Sequence, residues 1–236
     1  MKKTAIIIQA RMGSTRLPGK IMKKILNKPM IDYLIERASK SKMIDDIIVA
    51  TSDTKENKEL VDFLKAKSVK YFIGDENDVL SRYYYTAKKF NIDNIIRVTA
   101  DCPLIDATII DDTVKKYYKD KVDYASNIFP RSFPKGLDTE IFSFNSIEKA
   151  FNEANSLYDR EHVTPYIRES GKFDISNISY EKDYSYLRLT VDWEEDFKLI
   201  SKIFNQFKPN IFFNWLDVVD ELFKNPELIQ INNHLK

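Results

Sequence analysis

The sequence has 236 residues, enough for one α/β domain or two small ones, and its single cysteine, Cys102, excludes an intrachain disulfide framework. Its 37 basic and 36 acidic residues leave a net charge of +1, so no overall charge bias favours nucleic acid or a membrane surface as a partner. The lone thiol and the absence of an apolar run of membrane-spanning length predict a cytoplasmic protein with no membrane partner.

Short β-branched runs alternate with longer amphipathic stretches through the first half of the chain, which is the order of βαβ units. The pattern predicts strands at 4–8, 47–50, 69–73 and 95–99 and helices at 30–39, 56–67 and 79–90. Continuous apolar strands are typical of a parallel sheet that helices cover on both faces. The predicted fold class is therefore α/β, with a doubly wound, mostly parallel sheet.

The second half of the chain has a looser pattern. It predicts helices at 109–118, 146–155, 161–168 and 194–207 and extended segments at 123–126, 140–144, 173–179 and 187–191, the last returning to the central sheet. Proline and glycine between Pro130 and Gly136 indicate a loop. We expect one domain spanning 1–236, in which 127–185 is an inserted segment that binds a second substrate or forms a subunit interface.

A basic loop follows the first strand directly. Ligands of open α/β sheets bind at the carboxyl ends of the strands, so this loop is placed to hold phosphates. Glycine lets the backbone approach an anion, hydroxyl groups donate hydrogen bonds, and arginine and lysine supply positive charge. The loop residues with these properties are Arg11, Gly13, Ser14, Thr15, Arg16 and Lys20.

The same loop does not match the phosphate loop of P-loop kinases. Five residues separate Gly13 from Gly19 where that motif has four, and Ile21 stands where a serine or threonine would ligate Mg²⁺. The sequence therefore indicates phosphate binding outside the P-loop class.

Two aspartates follow predicted strands. Asp101 comes after the strand at 95–99, and Asp192 comes after the segment 187–191. Two carboxylates at one edge of a sheet could hold a Mg²⁺ ion whose other ligands are waters and phosphate oxygens. An aspartate in such a position is also a common helix N-cap, so Asp192 could instead begin the helix at 194–207, and Asp106 is expected to cap the helix that follows it.

Seven motifs occur in one order along almost the whole chain. They are QARMGSTRLPGK (9–20), IVATSD (48–53), DVLSRY (78–83), RVTADCPLID (97–106), DYASN (123–127), REHVTP (160–165) and LTVDWEED (189–196). In these motifs the sequence resembles the cytidylyltransferases that make CMP-linked acidic sugars, the 3-deoxy-manno-octulosonate and acylneuraminate enzymes. It is most similar to their spore coat polysaccharide biosynthesis protein F branch.

The resemblance implies a Rossmann-like, GT-A-like nucleotidyltransferase fold, a homodimer, and transfer of CMP from CTP with Mg²⁺ as cofactor. It implies Asp101 and Asp192 as the metal ligands, and Arg11, Arg16 and Lys20 as the groups that stabilise the leaving pyrophosphate. It also implies that the second substrate is an acidic sugar or a related small molecule. The implied nucleotide-binding residues are Ala10, Arg11, Gly13, Ser14, Thr15, Arg16, Lys20, Ser81, Arg82 and Asp101.

The acceptor side is less defined, because the central segment differs from that of the octulosonate enzymes. Ser81 could equally cap a helix together with Asp78, and His162 could be structural. A phosphorylated acceptor, which would give a CDP product, is a further alternative. The candidate acceptor-binding residues are Arg131, Lys135, Asp138, Glu140, Arg160 and His162.

Two functions from other classes fit part of the pattern. A GT-A-type glycosyltransferase would use a nucleotide-sugar donor, but that class usually carries an Asp-x-Asp metal motif, which this sequence lacks. A non-catalytic sugar-nucleotide binding protein would not need the combination of loop cations and strand-end carboxylates.

Overall fold

Seven strands form the central sheet in residues 2–235, the part of the chain that the computed structural model describes. They are β1 (Thr4–Gln9), β4 (Asp46–Ser52), β5 (Lys70–Gly74), β6 (Asn94–Thr99), β7 (Tyr124–Ser126), β8 (Glu140–Ser143) and β9 (Ile175–Asn177), and a separate hairpin pairs β2 (Lys24–Ile25) with β3 (Lys28–Pro29). The sheet order is β5-β4-β1-β6-β8-β7-β9. Because only β8 pairs antiparallel with its neighbours, the predicted mostly parallel sheet is confirmed.

Helices cover both faces of this sheet. They are α1 (Met30–Ala38), α2 (Lys58–Ala66), α3 (Val79–Lys89), α4 (Ala107–Asp120), α5 (Phe144–Glu153), α6 (Leu157–His162), α7 (Pro165–Glu169), α8 (Glu194–Phe207) and α9 (Trp215–Lys224). Successive side chains of a strand point to opposite faces. Ile6 and Ile8 accordingly pack with α1, α2, α4, α8 and α9, whereas Ile7 packs with α3, α5 and α7. The sheet is therefore doubly wound, as predicted.

The strands and helices of the first half lie close to their predicted positions. The helix expected at 56–67 begins as a 3₁₀ turn at Lys55–Asn57 and becomes α-helical only at Lys58, and the strand expected at 47–50 extends to Ser52. The helix predicted at 194–207 has those bounds in α8. Asp106 caps α4 as expected, since its carboxylate accepts hydrogen bonds from Thr108 N and from Trp215 N.

The segment 187–191 is not a strand of the central sheet, contrary to the prediction. Its apolar side chains are buried, but its backbone pairs with other segments. Leu189 N donates to Lys135 O in the loop at 130–136 at 2.7 Å, and Val191 N donates to Asp101 O, just after β6, at 2.8 Å. Gly136 makes this approach possible, because a Cβ atom there would lie 2.5 Å from the carbonyl carbon of Leu189. The apolar residues at 187, 189 and 191 therefore predicted burial correctly, but they did not predict which backbone the segment pairs with.

The helix predicted at 161–168 is two short helices. α6 ends at His162, Val163 has a φ of 73°, and Pro165 begins α7. Proline lacks the N–H that a continuing helix would use, which explains the break. The segment 127–185 contains β8 and β9, so the expected insertion is built into the central sheet rather than set apart from it. Its expected roles in acceptor binding and in a subunit interface stay predictions.

Candidate active site

The basic loop after β1 is held in a fixed shape by its own backbone. Met12 O accepts hydrogen bonds from Ser14 N at 2.9 Å and from Gly19 N at 3.1 Å. Gly19 has a φ of 68°, in the left-handed region that favours glycine. The loop therefore doubles back on itself. The 3₁₀ turn Lys20–Met22 follows, and its first residue, Lys20, is buried.

Asn57 ties this loop to the end of β4. Its Oδ1 accepts a hydrogen bond from Met12 N at 2.8 Å, and its Nδ2 donates to Ser52 Oγ at 2.6 Å and to Thr54 Oγ1 at 2.8 Å. The Asn57 side chain is buried, so these bonds are shielded from water. The carbonyl oxygen and the amide nitrogen of the Asn57 side chain thus hold the loop at Met12 against the end of β4.

Lys20 reaches from the loop to the carboxylates of Asp101 and Asp192. Its Nζ lies 3.2 Å from Asp101 Oδ2 and 2.9 Å from Asp192 Oδ1, and it donates to Val191 O at 2.7 Å. Burial alone would lower the pKa of Lys20, but the two carboxylates raise it, and the net direction is upward. The ammonium group is therefore a charged bridge between Asp101 and Asp192.

Asp192 is surrounded by cations and does not cap the following helix. Arg16 Nη2 lies 2.8 Å from Asp192 Oδ1, and Arg188 Nη2 donates to Asp192 Oδ2 at 2.9 Å. Burial would raise the pKa of Asp192, but Lys20, Arg188 and Arg16 together hold it below its ordinary value. The Asp192 carboxylate contacts these cations and is not the N-cap of α8.

Asp196 takes the capping role instead and links it to Asp192. Its Oδ2 accepts from Asp192 N at 2.9 Å and from Trp193 N at 3.1 Å. The same carboxylate pairs with Arg188 Nε at 2.9 Å and accepts from Asn232 Nδ2 at 2.8 Å. Asp196 is fully buried, so a network of Asn232, Asp196 and Arg188 fixes the orientation of Asp192 from behind.

Asp101 is oriented from the end of β6. Thr99 Oγ1 donates to Asp101 Oδ1 at 2.6 Å, which leaves Oδ2 facing Lys20. The neighbouring Cys102 thiol is buried, and burial raises its pKa well above the ordinary value. Because the thiolate is the reactive form of cysteine, Cys102 is not suited to act as a nucleophile here.

These groups line one cavity of about 220 Å³ at the carboxyl ends of β1 and β6. Its walls bring together most of the predicted phosphate-binding and metal-binding residues. The residues that line it are Gln9, Arg11, Gly13, Ser14, Thr15, Arg16, Lys20, Ile21, Thr99, Ala100, Asp101 and Asp192. Ala10 is buried and its N–H donates to Ala50 O, and its predicted role in nucleotide binding stays a prediction.

A second cavity of about 510 Å³ adjoins the first at Arg11. Arg11 is exposed, and its Nη1 donates to Glu76 Oε1 at 3.1 Å. Asp78 and Arg160 also line this second cavity. A ligand longer than a triphosphate could therefore extend past Arg11 from one cavity into the other.

The predicted nucleoside residues Ser81 and Arg82 lie in the first turn of α3, beside this second cavity. Asp78 caps the helix by accepting from Ser81 N at 2.9 Å, so the capping alternative is correct for Asp78. Arg82 is fully buried, and its Nη1 donates to Asp75 O at 3.0 Å. Its Nε and Nη2 have no hydrogen-bond partner among residues 2–235, although a buried donor usually has one.

The predicted acceptor-binding residues do not converge on one site. Arg131 and Asp138 form a two-pronged pair with each other, at 2.6 and 2.7 Å. Lys135 is exposed on the loop that contacts 187–189. These three residues stay candidates for the acceptor, but Arg131 already has a carboxylate partner.

The other three predicted acceptor residues have different surroundings from those expected. Glu140 is 2% exposed and is paired with Arg97, and Tyr124 Oη donates to it at 2.7 Å, so it lies in the core rather than on an acceptor-facing surface. Arg160 pairs with the Asp78 carboxylate and donates to Phe151 O. His162 is exposed, and its ring packs edge-on against Tyr158.

The residues that hold the site from behind were not predicted from the sequence. Asn57 carries no local signal of its role, since its partner Met12 lies far along the chain. Thr99 and Arg188 contact the nearby Asp101 and Asp192, but neither residue type is distinctive at those positions in the sequence. Asp196 was recognisable as the N3 residue of a predicted helix, a position where a carboxylate reaches back to the N-cap backbone.

None of the helices in residues 2–235 is long and apolar enough to cross a membrane. Within the same residues, no group of three or more histidine, cysteine, aspartate or glutamate side chains lies close enough to hold a metal ion. A metal held by Asp101 and Asp192 would therefore need further ligands from a substrate or from water.

Comparison with known proteins gives a consistent result. A family model described as cytidylyltransferase matches residues 5–217. The solved structure of a cytidylyltransferase from Leptospira borgpetersenii serovar Hardjo-bovis is 36% identical, with a TM-score of 0.92 and 98% of each chain covered. The spore coat polysaccharide biosynthesis protein SpsF of Bacillus subtilis is 29% identical over 240 residues, which cover 96% of this chain and 97% of that protein. The 3-deoxy-manno-octulosonate cytidylyltransferase of Geobacter metallireducens is 33% identical over 187 residues, which cover 70% of this chain and 69% of that protein.

Proposed function

The chain belongs to the cytidylyltransferase family, and from this premise we propose that it transfers CMP from CTP to an acidic sugar in a Mg²⁺-dependent reaction that releases pyrophosphate. It is a nucleotidyltransferase; the metal, the acceptor and the leaving group are the parts that we propose. The observation that carries the proposal is the cavity of about 220 Å³ in which the loop cations face the carboxylates of Asp101 and Asp192.

The donor chemistry of this cavity fits a divalent cation. Asp101 and Asp192 each place a carboxylate oxygen within 3.2 Å of the same ammonium group, so both oxygens already point at one cationic position. Mg²⁺ prefers oxygen ligands and is usually held by one or two carboxylates plus substrate phosphates. When bound there, it would neutralise charge on the phosphate being transferred.

The loop supplies the positive charge that a leaving pyrophosphate needs. In the proposed reaction an acceptor hydroxyl group gives up its proton to solvent and its oxygen bonds to the α-phosphorus, the bond from that phosphorus to the bridging oxygen breaks, and pyrophosphate departs with the bonding electrons. Arg16 and Lys20 line the cavity from the loop side and are placed to balance this charge, with Arg11 at its outer end. The main tasks of these residues are positioning and electrostatic stabilisation.

The unpartnered donors of Arg82 support cytosine as the base. The Nε and Nη2 atoms of a guanidinium form a fork, which matches two neighbouring acceptors. Cytosine presents two acceptors side by side, O2 and N3, whereas N3 of uracil is a donor. Because Arg82 is fully buried, this contact would require the residues that cover its guanidinium group to move aside.

The names of two relatives support an acidic sugar destined for a polysaccharide or glycan. One relative is named for spore coat polysaccharide biosynthesis and another for transfer to 3-deoxy-manno-octulosonate. Lys135 is an exposed cation on the loop that pairs with 187–189, the segment that leads to Asp192, and is our first candidate for binding an acceptor carboxylate. We also propose a cytoplasmic homodimer, for which the molar mass in solution is the direct test.

The reaction is tested by pyrophosphate release. The protein is incubated with Mg²⁺, each of the four nucleoside triphosphates, and a panel of ulosonic and nonulosonic acids. We expect release only when CTP and an acidic acceptor are both present. If no combination releases pyrophosphate while a nucleotide-sugar is turned over, the protein is a glycosyltransferase and the proposal is wrong.

A further inference from the structure

We propose that Lys20 and Arg16 occupy the position of the divalent cation until a nucleotide arrives, so that the metal binds together with the nucleotide and not before it. The inference rests on the proposed function, because it concerns the order in which the two ligands enter the same cavity. The juxtaposition that carries it is a lysine ammonium placed between the two carboxylates that would hold the metal.

The contacts of Lys20 are those of a cation at a metal position. Its Nζ touches Asp101 Oδ2, Asp192 Oδ1 and the backbone carbonyl oxygen of Val191, at 3.2, 2.9 and 2.7 Å. These are three oxygen ligands from two separate segments of chain. Carboxylate and carbonyl oxygens are also the ligands of hard divalent cations.

The charges around the carboxylates cancel in this arrangement. Three carboxylates meet three cations: Asp101, Asp192 and Asp196 are paired with Lys20, Arg16 and Arg188. A free divalent cation that approaches this group gains little from the carboxylates, because the neighbouring ammonium and guanidinium groups repel it. The nucleotide-free protein is therefore a poor metal binder.

A triphosphate changes this balance because its oxygens are new partners for the two loop cations, Arg16 and Lys20. Arg16 is half-exposed and Lys20 belongs to the loop that would hold the phosphates, so both can turn toward phosphate oxygens that enter the cavity. Arg188 differs from them because it does not line this cavity and is held by two bonds to Asp196 on the other side of Asp192. The two loop cations leave Asp101 and Asp192, whereas Arg188 continues to orient Asp192.

The loop is built for this exchange. Its base is anchored by Asn57 and by the bonds to Met12 O, so the backbone need not move when the side chains do. Lysine is a flexible chain that ends in a point charge, so its ammonium group can shift between carboxylate and phosphate oxygens by rotation about its own bonds. Only the partners of the two cations change.

The test is a titration of the full chain with Mn²⁺ alone, followed by electron paramagnetic resonance of the free ion. Four proteins are compared without nucleotide: the wild type, Lys20→Met, Arg16→Met and the control Lys23→Met. Lys23 is a neighbouring cation that pairs with Glu194 and touches neither Asp101 nor Asp192. The wild type is then titrated again with CTP present, and a protein-free titration of CTP with Mn²⁺ is subtracted, because the triphosphate itself binds the ion.

We expect the nucleotide-free wild type and Lys23→Met to bind Mn²⁺ weakly and equally. Lys20→Met removes one positive charge beside both carboxylates and should tighten Mn²⁺ binding by a factor of at least about ten. Arg16→Met should tighten it less, because Arg16 is more exposed and contacts Asp192 alone. CTP should tighten Mn²⁺ binding to the wild type.

Two results would overturn the inference, and they are distinguishable. Tight Mn²⁺ binding by the nucleotide-free wild type, unchanged in Lys20→Met, would show that the lysine does not occupy the metal position, and the proposed function would stand. Failure of Mn²⁺ to bind in any form, with CTP or without it, would remove the metal from the proposed function itself. Arg16→Met changes a half-exposed side chain, so it serves as the test if Lys20→Met does not fold.

Discussion

Glu140→Gln should unfold far more easily than the wild type, because it leaves Arg97 in the core without a counter-charge. Glu140 is 2% exposed and the Arg97 side chain is 16% exposed, so the pair lies largely out of water. Removing one partner of a buried pair typically costs about 3–5 kcal/mol of unfolding free energy. Because Arg97 keeps some exposure and glutamine keeps hydrogen-bonding capacity, we expect about 3 kcal/mol, at the lower end of that range.

The assay is urea denaturation of Glu140→Gln beside two comparison variants. Arg97→Met combined with Glu140→Gln removes both charges and should recover much of the lost stability. Glu153→Gln breaks an exposed pair with Lys172 and should cost far less. If Glu140→Gln were as stable as the wild type but bound the acceptor more weakly, the assignment of Glu140 to the core would be refuted and the acceptor role predicted from the sequence would be restored.

The same pair sets a pH dependence of stability. Burial would raise the pKa of Glu140, but Arg97 and its other partners lower it, and the net direction is below its ordinary value of 4.5. A carboxylate with a lowered pKa in the folded state stabilises the fold above its unfolded-state pKa, and this contribution is lost as the pH falls through the folded-state value. The wild type should therefore lose more stability than Glu140→Gln between pH 5 and the acid limit, measured by urea denaturation at each pH.

Three further predictions concern the cavity. Asn57→Ala should raise the KM for CTP, because it removes the acceptor for Met12 N. Asn57→Asp keeps that acceptor, so its KM should lie between those of Asn57→Ala and the wild type. Equal KM values for all three proteins would show that Asn57 does not anchor the loop for CTP binding. Asp192→Asn should lower kcat at saturating Mg²⁺, and unchanged kcat would remove Asp192 from the metal role. Arg82→Lys loses the fork, so the ratio of kcat/KM for CTP over UTP should fall; an unchanged ratio would place base selection elsewhere.

The fold could be predicted from the sequence wherever burial and secondary structure coincide. β1, β4 and β6 are continuous apolar runs between helices, and α8 has the predicted bounds. The segment 187–191 was misplaced because buried alternation says which side chains face the core but not which backbone they pair with. The segment pairs with the backbone carbonyl groups of Lys135 and Asp101. No residue near 187–191 in the sequence indicates these partners.

The site divides in the same way. The loop cations and Asp101 were predictable, because the carboxyl ends of the parallel strands β1 and β6 lie side by side. Asp192 lines the same cavity although the segment before it is not a strand of the sheet. The ion-pair partner of each charged side chain could not be predicted. The pairing of Lys20 with both carboxylates, of Glu140 with Arg97 and of Arg160 with Asp78 depends on residues 43 to 172 positions apart in the chain.

The central claim is that one cavity holds both the triphosphate and the metal. The most direct test is a crystal structure with CTP and Mn²⁺, in which anomalous scattering locates the ion. We predict an anomalous peak within about 2–2.5 Å of carboxylate oxygens of both Asp101 and Asp192, with the phosphates against the loop that carries Arg16 and Lys20. A nucleotide bound away from this loop, or an ion that contacts neither aspartate, would contradict the account.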